Sequence, residues 1–235
     1  MKTLKTSIFA SVALVIVSLA ACNKNNNSAT PTVASGSSKL SFQMQAVNAA
    51  PDSIIKDTIT GLTWTAGTAN IGWFAFEAKR KGVSINIQSS NLINVDLFAL
   101  TPLQTYITLD TGTYQQIEII ANLQSTDSIP PLKLTGSFKN DSSKTVPIEF
   151  DLSGNTIVKV VQKNIDINGT TDYTALLALQ LDRVTKGITA ADLNKAKLTN
   201  GAIIISKTSN TLLYLKMKSN ISICGWGAFR EHRRF

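Results

Sequence analysis

One histidine and two cysteines in 235 residues leave little for metal or thiol chemistry. A single His cannot build a His-rich zinc site and argues against a Ser-His-Asp hydrolase. Two Cys cannot form a disulfide scaffold. Gly (13) and Pro (6) are too few for a collagen-like or low-complexity chain. Charged residues make up only 16%, while 43% are hydrophobic, which excludes general disorder. No Gly-x-Ser-x-Gly elbow, Gly-rich phosphate loop or paired CxxC occurs. The 4 Glu (Glu77, Glu118, Glu149, Glu231) are scattered, and no acid–base pair can be placed from them. The expectation is a non-enzyme without cofactor or bound metal.

No apolar run reaches the ~20 residues of a membrane span. The longest, Ile8 to Ala21, is broken by Ser11 and Ser18 and preceded by Lys2 and Lys5. This is the length and charge order of a signal peptide. It ends in Leu19-Ala20-Ala21-Cys22. That motif resembles the lipobox of bacterial lipoproteins. The resemblance implies signal peptidase II recognition through Leu19, Ala20 and Ala21, and lipidation of Cys22. An ordinary secretory signal with a bystander Cys is the alternative. Each CH₂ buried by an acyl chain contributes ~0.8 kcal/mol, so several chains hold a protein stably at a membrane. Residues 22–38 are polar and small (Asn-Lys-Asn-Asn-Asn-Ser, then Thr, Pro, Ser and Gly) and read as a flexible tether.

The Asn- and Lys-rich start after Cys22 is similar to lipoproteins of Bacteroidetes-type bacteria. Asn23 stands where enterobacterial inner-membrane lipoproteins carry Asp. Asn25, Asn26 and Asn27 stand where a surface-export signal is acidic. The resemblance therefore implies the outer membrane, facing the periplasm more than the cell surface.

From Lys39 on, the apolar residues alternate. Leu40, Phe42, Met44 and Ala46 do so, as do Val83, Ile85 and Ile87, and Ile117, Ile119 and Ala121. Val146, Ile148, Phe150 and Leu152 follow, then 157–161 and 173–181. Period two marks half-buried strands. Asp110-Thr111-Gly112, Ser153-Gly154-Asn155 and Asn168-Gly169 are turn signals, with Asn168-Gly169 the clearest hairpin. One short helix is expected near 189–198, opened by a capping box at Thr189 and Asp192. Ala202–Ile205 and Leu212–Met217 read as a closing hairpin. The predicted fold is mainly β, an antiparallel β-sandwich over 39–223. Its core is 39–186, a helix and hairpin follow over 187–223, and a basic tail occupies 224–235.

The segment Leu109-Asp-Thr-Gly112-Thr-Tyr114-Gln-Gln-Ile117-Glu-Ile119 resembles the core of a domain-of-unknown-function family common in envelope lipoproteins. Val95–Leu100 and the later strands extend the likeness over about 39–186. It implies a transthyretin- or carbohydrate-binding-like sandwich and no reaction. Gly112 is expected at positive φ, and Tyr114 to plug the sandwich edge with its hydroxyl on backbone.

Several features point at partners. Trp64 and Trp73 are candidates for stacking on a glycan, with core packing the alternative. Lys79-Arg80-Lys81-Gly82 reads as a solvated hairpin tip, with lipid headgroups as the alternative contact. Ser53, Thr58 and Ser128 each follow Asp and precede an aliphatic residue. That pattern resembles a Bacteroidetes O-glycosylation sequon. Asp166 to Asp172 places oxygen ligands around a turn, but Leu177 stands where a calcium loop needs a bidentate carboxylate. Cys224 reads as a free, inert thiol, with an intermolecular disulfide as the alternative. A fimbrial-type subunit or anchor is the alternative to a binding or accessory module.

The formal charge is +8, from 23 basic and 15 acidic residues. Lys2 and Lys5 leave with the signal peptide, and Arg230, Arg233 and Arg234 crowd the last six residues. The body carries dispersed lysines, which excludes a nucleic-acid stripe.

Overall fold

The computed structural model describes residues 36–48, 59–89, 92–99 and 106–233. In chain order the strands are β1 Ser37–Val47, β2 Leu62–Arg80, β3 Val83–Gln88, β4 Leu92–Asp96, β5 Tyr106–Asp110 and β6 Gly112–Leu123. Then come β7 Leu132–Lys139, β8 Thr145–Asp151, β9 Thr156–Gln162, β10 Ile165–Ile167 and β11 Thr171–Gln180. The helices α1 Leu181–Val184 and α2 Ala190–Asn194 follow. Last are β12 Leu198–Thr199, β13 Ala202–Ile205, α3 Thr211–Ile221 and β14 Gly225–Arg233.

Alternation in the sequence becomes two sheets that share one core. The small sheet runs β14-β11-β1-β5. The large one runs β10-β6-β2-β7-β8-β13-β12, with β3 and β4 on β2 and β9 on β6. Leu40, Phe42 and Met44 of β1 join Phe74 and Phe76 of β2, Ile117 and Ile119 of β6, and Leu177 of β11 in a single hydrophobic cluster. Phe42 stacks on Phe74 with ring centroids 5.2 Å apart, which ties the two sheets together. The long β2 spans the large sheet, pairing with β7 from Leu62 to Ala69 and with β6 from Ile71 to Arg80. Its register shifts at Trp64/Ala66, Ile71/Trp73 and Glu77/Lys79. Such bulges bend and twist a strand. The described residues belong to one unit, Val33–Phe235.

The mainly β expectation stands, but the sheets are mixed rather than antiparallel. β1 runs parallel to β11, with Leu40 opposite Tyr173, and β13 parallel to β8, with Ile203 opposite Ile148. Period two is the same in both directions, so alternation carries no information on polarity. Asn168-Gly169 turns the chain, yet joins no hairpin. β10 pairs with β6, whereas β11 pairs with β1 and β14. The turn is an Asx type: Asn168 Oδ1 accepts from Thr170 N and Thr171 N, each at 3.0 Å, with Gly169 at φ +73°. Asp110-Thr111-Gly112 likewise carries the chain from the small sheet to the large one.

At that corner the reading of Gly112 and Tyr114 holds. Gly112 sits at φ +133° and Tyr114 is buried, its hydroxyl donating to Asp110 O at 3.0 Å. Arg80 lies over the Tyr114 ring at 5.7 Å and pairs with Asp110 at 2.8 Å. The Lys81-Gly82 tip is the expected exposed hairpin turn between β2 and β3. A second corner, missed in the sequence, has Tyr173 donating to Asp166 O at 3.1 Å. Tyr114→Phe removes one hydrogen bond and leaves a carbonyl short of a partner. It should lower stability by about 1 kcal/mol, read as a shifted urea midpoint with unchanged slope.

The capping box is present: Thr189 Oγ1 accepts from Asp192 N at 3.2 Å, and Asp192 Oδ2 accepts from Thr189 N at 2.9 Å. The expected Leu212–Met217 strand is instead the helix α3. Leu213, Tyr214, Met217 and Ile221 are its buried residues, at helical spacing, and no β-branched residue intervenes before Ile221. The expected basic tail is also structured over its described residues, 224–233. Gly225–Arg233 is β14, antiparallel to β11 at the edge of the small sheet. Gly227 needs its missing side chain, since a Cβ there would lie 2.6 Å from Val160 Cγ2 of β9. Among the described residues, no helix is long and apolar enough to cross a membrane.

Candidate functional site

The outer face of the large sheet, opposite the core, gathers polar and aromatic side chains in three cross-strand rows. Alternation turns Phe74 and Phe76 inward, so Trp73, Ala75 and Glu77 of β2 point outward. Register then fixes their neighbours. One row is Asn86, Glu77, Glu118 and Val161 on β3, β2, β6 and β9. The next is Gln88, Ala75, Ile120 and Lys159. The third is Trp73, Asn122 and Ile157.

Ala75 and Ile120 are buried and form the floor. Trp73 is half-buried, and Ile157 and Val161 are exposed. Glu77 and Glu118 stand directly opposite, an arrangement that neighbouring donors offset. Asn86 Nδ2 donates to Glu77 Oε1 at 3.1 Å, and Lys159 Nζ to Glu118 Oε2 at 3.0 Å. A groove of about 570 Å³ opens along this row, walled by Ser84 and Gln116. Gln116 holds a left-handed backbone at φ +49° where the register shifts between β6 and β2. A non-glycine residue in that region is strained, and strain of this kind gathers at binding sites. The face offers apolar and aromatic surface beside carboxamides and carboxylates, the chemistry that receives a hydroxyl-rich ring.

A second polar cluster lies on β7 and β8. Lys133 Nζ reaches Glu149 at 2.6 Å and Asp151 at 3.4 Å. Burial pushes the Asp151 carboxyl up, reinforced by its hydrogen bond with Glu149. Burial also works against the Glu149 charge, but Lys133 and Asp151 together hold Glu149 below the usual range. The cluster flanks a groove of about 540 Å³ under the 125–131 loop. Cross-strand pairing explains it, since Lys133 is directly opposite Asp151.

The structure divides the sequence candidates. Trp73 is on the outer face, whereas Trp64 is buried and walls a small cavity with Leu62 and Leu181, so it presents no open ring. Ser128 is exposed at a loop tip that Thr126 N closes by donating to Ile129 O at 3.1 Å. Leu19, Ala20, Ala21, Cys22, Ser53 and Thr58 lie outside the described residues. The Asp166–Asp172 turn is occupied by protein partners: Thr113 Oγ1 donates to Asp166 at 2.6 Å, and Lys39 N to Asp172 at 2.8 Å. Among the described residues, no three His, Cys, Asp or Glu side chains gather to hold a metal. His232, expected to lie in a tail, contacts Thr174 Oγ1 at 2.8 Å on the sheet. The cross-strand carboxamides Asn86, Gln88 and Asn122 were missed, because their meeting depends on register between distant strands.

Cys224 is fully buried, its Sγ donating to Ile221 O at 3.1 Å. Burial pushes its thiol up to about 12. The native state thus keeps a proton that the unfolded state loses above about 9. By linkage, this group's contribution to stability falls as pH climbs from about 9 toward 12. At pH 8 the folded protein should not react with a maleimide at Cys224, and the reaction should follow unfolding in urea.

No family model, curated protein or solved structure matches this chain.

Proposed function

We propose that the protein is a lipoprotein of the bacterial envelope, held at the outer membrane through Cys22 and facing the periplasm. In this reading it is a non-catalytic binding module, and the Trp73 face of the large sheet receives a glycan. The observation that carries the binding role is the three-row grid: a half-buried indole opposite Asn122, with Gln88 in the next row and Asn86, Glu77 and Glu118 in the row beyond. A sugar ring stacks its C–H face on an indole while carboxamides and carboxylates take up its hydroxyls. The Leu19-Ala20-Ala21-Cys22 motif supports the anchor, standing shortly before β1 opens at Ser37. The exposure of Asp127 and Ser128, before half-buried Ile129, supports glycosylation at Ser128.

Two measurements test the two halves. For the anchor, Cys22→Ser should move the protein from the membrane to the soluble fraction. An unlipidated Cys22 in the membrane-extracted protein, seen by mass spectrometry, refutes the anchor. For the binding face, an array of neutral oligosaccharides is probed with wild type, Trp73→Ala and Glu77→Gln. Loss of about tenfold in affinity for Trp73→Ala, equivalent to ~1.4 kcal/mol, is the expected result. Binding that survives in Trp73→Ala, or no binding by wild type, sinks the assignment.

A further inference from the structure

We infer that the groove between α2 and α3 docks an acidic, amphipathic segment of a partner protein. α3 buries Leu213, Tyr214, Met217 and Ile221 against the domain and turns Leu212 and Leu215 outward, 79% and 54% exposed. Leu212, Leu215 and Lys216 fall at i, i+3 and i+4 and so share one stripe of the helix. Leu198 on neighbouring β12 is 51% exposed. Large apolar side chains exposed together mark an interaction surface, whereas scattered ones need no explanation. Between the helices lies a groove of about 580 Å³, with Lys195, Ala196 and Asp192 on one wall and Leu212, Leu215 and Lys216 on the other.

The groove is firmly built. Asn210 sets the start of α3: its Nδ2 donates to Lys197 O at 3.0 Å and Ile204 O at 2.8 Å, and its Oδ1 accepts from Lys197 N at 2.8 Å. On the far side, Asn220 Nδ2 donates to Val184 O at 3.2 Å and ties α3 to α1.

Charge names the occupant. Between Lys186 and Lys218 the chain carries Lys186, Lys195, Lys197, Lys207, Lys216 and Lys218 against one acid, Asp192. Asp192 is engaged by the capping box and lies 3.9 Å from Lys216 Nζ, and Lys218 Nζ donates to Ser153 O, so Lys195 and Lys197, both exposed, carry the positive rim. An apolar groove with a basic rim complements leucine-like anchors flanked by Asp and Glu. A walled groove with a basic rim fits a discrete protein segment, whereas a bilayer would meet a flat apolar face.

The test uses the full-length protein and a fluorescein-labelled synthetic amphipathic helix with a leucine stripe and glutamates elsewhere. A twin peptide carries lysines in place of the glutamates. Fluorescence anisotropy should show binding of the acidic peptide, weakened by salt, and none of the basic one. Leu212→Ser/Leu215→Ser should weaken it about tenfold, and Lys195→Glu/Lys197→Glu should transfer the preference to the basic peptide. Both pairs are surface changes, so circular dichroism should match wild type. Four results overturn the inference. The acidic peptide fails to bind, or its binding ignores both double variants. Phosphatidylglycerol vesicles bind through the same leucines, making the occupant a membrane. Leucine-dependent self-association appears in sedimentation, making it a second copy. Cys22→Ser carried in parallel separates the readings: a failed anchor changes its fractionation and leaves peptide binding in place.

Discussion

Truncating Phe74 to alanine should lower the unfolding free energy by about 3–5 kcal/mol. Phe74 is fully buried and stacks on Phe42 at 5.2 Å with an interplanar angle of 10°. It is a contact between β2 of the large sheet and β1 of the small one. Removing the ring loses its transfer free energy and leaves a cavity that stiff β-sheets close poorly. The ring pair adds ~0.5–1.5 kcal/mol beyond area. Total stabilities are ~5–15 kcal/mol, so the loss is a large share. In a domain of this size each kcal/mol moves Tm by roughly 2–4 °C, giving a fall of roughly 6–20 °C by calorimetry. Phe42→Ala and the double variant complete a cycle. Strict additivity in that cycle would show that the two rings are not coupled.

Gly136→Ala should cost about 1–3 kcal/mol or more, for a different reason. Gly136 on β7 stands opposite Trp64 on β2 and Ile148 on β8. β2 shifts register just past Trp64, and its backbone closes on Gly136. A Cβ there would meet Thr63 O and lie 2.9 Å from Trp64 Cα. These are backbone atoms of a paired strand and cannot rotate away. Gly72→Ala on β2 is the control, because the new methyl meets the ends of the Gln124 and Asn122 side chains. It should be close to neutral, with the reduced entropy of the unfolded chain offsetting the contact. Equal urea midpoints for the two variants would refute the backbone explanation.

The residues that were legible in the sequence are those whose signal is local. Tyr114 and Gly112 could be read because a corner needs a positive φ and a buried phenol within a few residues. Thr189 and Asp192 could be read because a capping box closes over three. Strands β1, β3, β6 and β8 followed from alternation alone. What alternation could not give was direction or partner. Asn168-Gly169 looks the same whether the chain returns beside itself or crosses to the other sheet. Leu213, Leu215 and Met217 fit period two as well as a helix. Packing decided for the helix, leaving Leu215 outside. The outer face was half legible: Trp73 was singled out, but Asn86, Gln88 and Asn122 reach it only through pairings of β2 with β3 and β6. Trp64 shows the converse error, an aromatic residue whose burial no spacing announces.

The parallel pairing of β1 with β11 also sets a timetable. Among the described strands β1 is the first to leave any channel, and its partner residues Tyr173–Gln180 lie far behind it in the chain. Until they emerge, the one described strand that pairs with β1 is the short β5, through Ser37–Ser41. The small sheet is completed later still, when β14 closes on β11. Contacts of such long sequence separation form slowly and leave strand edges open meanwhile. A chain threaded through a membrane N-terminus first would thus stay unlocked until nearly all of it had crossed. Export could proceed without having to unfold a finished domain, and the exposed interval would fall on the far side.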